Sequence, residues 1–202
     1  MYEYIKHPGK LACLKEFNSL YHDIAKVQCI GPITLMSAPA SYSENDATER
    51  VINHLSAILH DLDARRKIVA LDEPAVGTSG LEFRDRWNFV FEGLESVYGE
   101  ITRVVHTCGN MDWSRMFDAG LDVISLDASR YGDIMVKSPG YEEYRRNGGN
   151  IAWGITGADG VKDFRGGDLI TPPCGLGRSS VSHCHRKLEQ MVRVARAEQL
   201  AL

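Results

Sequence analysis

Short apolar runs alternate along the chain with longer stretches whose apolar residues recur every three or four positions. The runs are KVQCI (26–30), KIVAL (67–71), ITRVV (101–105), DVISL (122–126), NIAWGI (150–155) and DLITP (168–172). They are short and lack strict alternation, the pattern of strands buried on both faces of a parallel sheet. Between them, residues 44–66 keep Val51, Leu55, Ile58, Leu59 and Leu62 at helical spacing, with Asn45 and Asp46 as cap candidates. Residues 81–99 form a second such stretch and stop at a glycine. Residues 179–200 form a third, with Val181, Leu188, Met191, Val192 and Ala195 on one side. Residues 1–25 read as mainly helical, interrupted at Pro8-Gly9. Strand and helix in alternation mean a parallel α/β fold, either a closed (β/α) barrel or an open doubly wound sheet.

The position of the reactive residues separates these two. Asp72-Glu73-Pro74 follows the second run, His106-Thr107-Cys108-Gly109-Asn110 the third and Asp127-Ala128-Ser129-Arg130 the fourth. Pro173-Cys174-Gly175 follows the last. Ligand-capable groups thus sit at the C-terminal ends of several strands, and in a barrel those ends converge on one mouth. An open sheet would string them along an edge, so the barrel accounts for them more economically. Six βα units are legible, in a single domain spanning 1–202.

Composition narrows the function. Of 202 residues, 44% are hydrophobic and 25% charged, and the net charge is −4, an ordinary soluble composition. No basic run or Arg/aromatic stripe points to nucleic acid, and no window approaches a membrane span. The start, MYEYIKHPGK, lacks the apolar core of a signal peptide, so a reducing cytoplasm is expected. The five cysteines then read as thiols or ligands.

His106 and Cys108 are two apart, so on an extended strand they face one side. Cys174 from a distant strand end and an oxygen from Asp127 would complete a soft site suited to zinc with a position open to substrate. Each fragment alone also has a plain reading: a core histidine beside a thiol, a turn at Asp72-Glu73-Pro74, a cap at Asp127. His183-Cys184-His185 falls inside a helical stretch, where neighbours two apart diverge. Cys13 and Cys29 lack ligand-like neighbours, and Trp153 reads as filling the barrel interior.

Taken in series, GPITL (31–35), LDEPAV (71–76), HTCGN (106–110), LDVISLDASR (121–130), IAWGI (151–155) and PPCGLGRSS (172–180) resemble the C-terminal catalytic domain of cobalamin-independent methionine synthase. They also resemble the related methylcobalamin-dependent thiol methyltransferases, in a superfamily shared with uroporphyrinogen decarboxylase. The resemblance implies a (β/α)8 barrel and a zinc-dependent transfer of a methyl group to a thiol, with homocysteine the first choice. It implies His106, Cys108 and Cys174 as zinc ligands. Asp127 stands where the family has a glutamate ligand, and would bind zinc at rest, orient a ligand, or do neither. Asp72 matches the carboxylate that binds the substrate ammonium, and the resemblance implies Ser129 as a polar substrate contact.

Departures from the family pattern qualify this. The first two strands of the family barrel, one carrying Ile-Gly-Ser and the other a substrate-binding glutamate, have no counterpart, nor does the histidine after the seventh strand. An incomplete barrel of six units leaves unpaired edges. Closure by a second copy or another polypeptide is favoured over filling by the N-terminal segment or a truncated gene product. With no folate-binding half, a methylcorrinoid on a partner protein is preferred to methyltetrahydrofolate as donor. Two rival readings stay open: a metal-free decarboxylase, for which Arg130, Arg165 and Arg178 are available but do not form that class's pattern, and a non-catalytic zinc-binding or corrinoid-partner subunit.

Overall fold

The computed structural model describes residues 14–20, 22–38, 42–78, 82–177 and 179–202. Pro8-Gly9, Cys13 and Arg178 lie outside them. The chain forms two compact units that meet in sequence between His106 and Thr107.

The first unit contains α1 (Leu14–Asn18), β1 (Ile24–Ile30), α2 (Pro32–Met36), α3 (Glu44–Asp61), β2 (Arg66–Asp72) and α4 (Arg84–Tyr98). β3 (Thr102–Thr107) follows, its last residue already in the second unit. β1 pairs with β2 and β2 with β3, both in parallel, Ile30 standing opposite Asp72 and Asp72 opposite His106. The strands thus follow chain order, without the reversal that marks a doubly wound sheet. Val51, Leu55 and Ile58 of α3 and Trp87, Val90, Phe91 and Leu94 of α4 are buried with Val69 and Leu71 of β2. Each such side chain contributes about 1.5–3 kcal/mol by leaving water.

The second unit contains α5 (Trp113–Phe117), β4 (Val123–Asp127), α6 (Ala128–Met135) and α7 (Tyr141–Arg146). β5 (Asn150–Gly154), β6 (Leu169–Thr171) and α8 (Val181–Leu200) follow. β4 pairs with β5 and β5 with β6, again parallel and in chain order. Gly154 is the residue that lets this sheet close up at its C-terminal end. A Cβ there would run into the Leu126 carbonyl and come within 2.8 Å of the Pro173 Cα. Six successive strand-and-helix units with parallel pairing give an α/β fold that is barrel-like and, against the eight of a full barrel, incomplete.

Several local expectations need correction. β1 is not buried on both faces: Ala25, Val27 and Cys29 are buried, whereas Ile24, Lys26 and Gln28 are exposed. It also begins at Ile24, inside the stretch read as helical. The cap of α3 is Ser43, whose Oγ accepts from the Asp46 N–H at 3.2 Å and donates to the Asp46 carboxylate at 2.6 Å. Ser43 is thus the cap, ahead of Asn45 and Asp46, and the Asp46 carboxylate binds the capping hydroxyl itself. α8 buries Met191 and Val194, while Val181, Leu188 and Val192 face solvent. Its contact with β6 is a narrow stripe rather than the wide apolar side that spacing suggested.

Candidate functional site

In the first unit, the site residues belong to the sheet face that carries Lys26 and Gln28. Parallel register sets Gln28 opposite Ala70 and Asp72 opposite His106, and side chains two apart share a face. Lys26 Nζ donates to Gln28 Oε1 at 2.7 Å, and Gln28 Nε2 donates to Asp72 Oδ2 at 2.7 Å. The other Asp72 oxygen, Oδ1, is buried without a hydrogen-bond partner. Burial pushes the Asp72 carboxyl above the usual carboxylate range, opposed by the Gln28 hydrogen bond and the Lys26 charge. Burial, with a lesser push from the Lys26 charge, lowers His106 to about 4. Its imidazole is therefore neutral at pH 7, the form in which histidine binds a metal.

Glu73, the next residue, has a different duty that the sequence did not disclose. It is fully buried. Its carboxylate accepts from the Ile33 N–H at 3.0 Å, the Thr34 N–H at 2.7 Å and Trp87 Nε1 at 3.0 Å. It thereby satisfies the open amides that begin α2 and ties α2, β2 and α4 together. A Cβ at Gly31 would collide with this carboxylate. GPITL and LDEPAV are thus two halves of one structural device. The signal was available: a glycine before a short helix, and an acid after a strand.

In the second unit, Cys108 is half-buried in the turn after β3, where the Gly109 N–H donates to Thr107 Oγ1 at 3.3 Å. Asp127 ends β4 opposite Gly154. Its side chain makes no capping bond to α6, and its Oδ1 is buried without a hydrogen-bond partner. Ser129 Oγ accepts from the Thr156 N–H at 2.9 Å and lies 3.0 Å from Thr156 Oγ1. The Thr156 carbonyl in turn accepts from Lys187 Nζ and Gln190 Nε2, each at 3.1 Å. Ser129 is thus fixed between the ends of β4 and β5 rather than left as a free hydroxyl. Cys174 is exposed in the turn after β6.

The donors suit zinc in kind: a neutral imidazole, two thiols and a buried carboxylate oxygen with nothing to bond. Among the described residues no three His, Cys, Asp or Glu side chains are grouped so as to hold a metal ion. His183, Cys184 and His185 lie in the first turns of α8, as their spacing implied, and the Cys184 thiol donates to the Leu176 carbonyl at 3.7 Å. Of the arginines considered for a decarboxylase, Arg165 is engaged with Asp163 at 2.7 Å and Glu142 at 3.1 Å, and Arg130 lies over the Tyr131 ring.

Trp153 is fully buried, and its Nε1 donates to Asp168 at 2.9 Å. Asp168 also takes a bidentate pair from Arg145, at 2.6 and 2.8 Å. The Ile151 and Arg165 N–H groups add bonds of 2.8 and 3.0 Å. This hub fixes β5 against the segment leading to β6 and Cys174.

Among the described residues no helix is long and apolar enough to cross a membrane. No family model and no curated protein matches the chain. Among solved structures, a methyltransferase from Methanosarcina mazei is similar at 16% identity and a TM-score of 0.44. The alignment covers 84% of this chain and 49% of that one, so the chain spans about half its length.

Proposed function

We propose that the chain is a methyltransferase acting on a thiol, with homocysteine as the acceptor and zinc held by His106, Cys108 and Cys174. The observation that carries the reading is chemical. Asp72, His106 and Asp127 occupy the last positions of parallel strands or lie next to them, and Cys174 follows the last strand. Two of these residues present a buried carboxylate oxygen with no hydrogen-bond partner. Unpaired buried acceptors are costly unless a ligand uses them.

Bound zinc would keep a thiol ionised near neutral pH. The neutral His106 imidazole offers a nitrogen lone pair without first losing a proton. Asp127, one methylene shorter than glutamate, serves as a displaceable fourth group. Asp72, whose Oδ2 holds the Gln28 amide and whose Oδ1 has no hydrogen-bond partner, accepts the substrate ammonium. Ser129, held by Thr156, orients polar parts of the substrate. In the overall reaction the acceptor sulfur gains the methyl carbon and gives up its proton, and the donor loses its bond to that carbon. A methylcorrinoid protein is the preferred donor, methyltetrahydrofolate the second. A second copy of the chain is proposed to complete the barrel.

Metal analysis of untagged protein tests this. About one zinc per chain is expected, lost in Cys108→Ser and in Cys174→Ser. Folded protein with a stoichiometry near zero would remove the basis of the reading. Methyl transfer to homocysteine, assayed with methylcobalamin and with methyltetrahydrofolate, identifies the donor. Stoichiometric zinc without turnover on either would favour the non-catalytic subunit.

A further inference from the structure

Lys26 stands on the exposed face of β1, and among the described residues no carboxylate lies within ion-pair distance of it. Its ammonium rests on the Gln28 carboxamide, whose other end rests on Asp72. The amide therefore offers an N–H to a carboxylate and a C=O to an ammonium. An α-amino acid makes the same two offers, with an ammonium for Asp72 and a carboxylate for Lys26. The sizes agree. An amide's nitrogen and oxygen are about 2.2 Å apart, and the ammonium and carboxylate of an amino acid are roughly 3 Å apart. With hydrogen bonds of about 2.8 Å at each end, either group spans Lys26 to Asp72.

We propose that Lys26 and Asp72 form a subsite for the α-amino acid part of the substrate, in which the Gln28 carboxamide is an internal stand-in that the zwitterion displaces. This rests on the reading of Asp72 as an ammonium site and adds the carboxylate partner. The subsite lies wholly within the first unit. Burial lowers the Lys26 pKa and the Asp72 charge raises it, so an arriving carboxylate strengthens a cation that is partly desolvated. A lysine on an outer strand can also serve only to discourage strand pairing. Such a lysine would leave ligand selectivity untouched.

The test is calorimetric titration of the full chain with L-methionine, its decarboxylated amine (methylthiopropylamine) and its deaminated acid (methylthiobutanoate). Wild type is expected to prefer methionine to the amine by about tenfold or more, the usual worth of a hydrogen bond between charged groups. Lys26→Met should erase that preference, Lys26→Arg should keep part of it, and Gln28→Ala should bind methionine at least as tightly as wild type. The proposal is overturned by no carboxylate preference in wild type, by a preference that survives Lys26→Met, or by loss of binding in Gln28→Ala. Methionine carries no thiol and needs no donor, so the two readings fail separately. Lys26-dependent binding without methyl transfer sinks only the methyltransferase. Transfer with an unchanged KM for homocysteine in Lys26→Met sinks only the subsite.

Discussion

Replacing Asp168 with asparagine keeps its shape and removes its charge, so it isolates what that charge holds in place. The Asp168 and Arg145 side chains are 0% and 1% exposed, and the carboxylate receives five N–H bonds from four residues. In Asp168→Asn the guanidinium is left buried and uncompensated. The new amide group also aims N–H at positions already filled by donors. Breaking one side of a buried pair costs about 3–5 kcal/mol. For a chain of this size that lowers Tm by roughly 6–20 °C. Arg145→Met should cost less, about 1–3 kcal/mol, because the carboxylate keeps the Ile151, Trp153 and Arg165 donors. Urea unfolding followed by far-UV circular dichroism and tryptophan fluorescence reads both, since Trp153 donates directly to Asp168. A loss below about 1 kcal/mol in Asp168→Asn, or a larger loss in Arg145→Met than in Asp168→Asn, would refute the hub.

Further outcomes follow from the same packing. Gly154→Ala places a methyl against the Leu126 carbonyl and Pro173, both backbone, and should cost about 1–3 kcal/mol in urea unfolding. Glu73→Gln turns an acceptor of three N–H bonds into a group that must also donate; a drop of about 1–3 kcal/mol is expected, and an unchanged midpoint would discount the clamp. His54 is buried with Nδ1 unpartnered, and burial lowers its pKa. The unfolded chain therefore binds a proton that the folded chain does not, so this contribution is whole above about pH 6.5 and lost as pH falls through the lowered folded value. His54→Leu should lose less stability than wild type between pH 7.5 and 5.5, and equal losses would contradict this.

All six strands were legible, because apolar runs flanked by polar turns report burial directly. The ends of elements were less so. Ser43 caps α3 through a side-chain exchange with Asp46, and spacing alone does not rank Ser43 above Asn45. The α8 stripe was misjudged because Leu188 and Val192 sit beside Met191 on the helix wheel, and only the partner surface decides which are covered. The sequence reading puts Asp72, His106 and Asp127 at strand ends, and there they lie. Glu73 was passed over because a buried acid and a turn acid look alike until their donors are seen. Lys26 and Gln28 are hidden inside a run that reads as apolar, since the partner that anchors the Gln28 amide is 44 residues away.

The two-faced character of β1 has a bearing on how this sequence can change. Sliding the strand by one position would send the Lys26 ammonium into the hydrocarbon layer and bring Cys29 into water, an error too expensive to persist. Sliding it by two would respect the code of wet and dry, yet it would carry Gln28 past its contact with Asp72. Insertions or deletions within this strand should therefore be purged, whichever residue they add or remove. The polar row inherits its alignment from the hydrophobic alternation behind it, so one pattern of side chains protects both the fold and the chemistry.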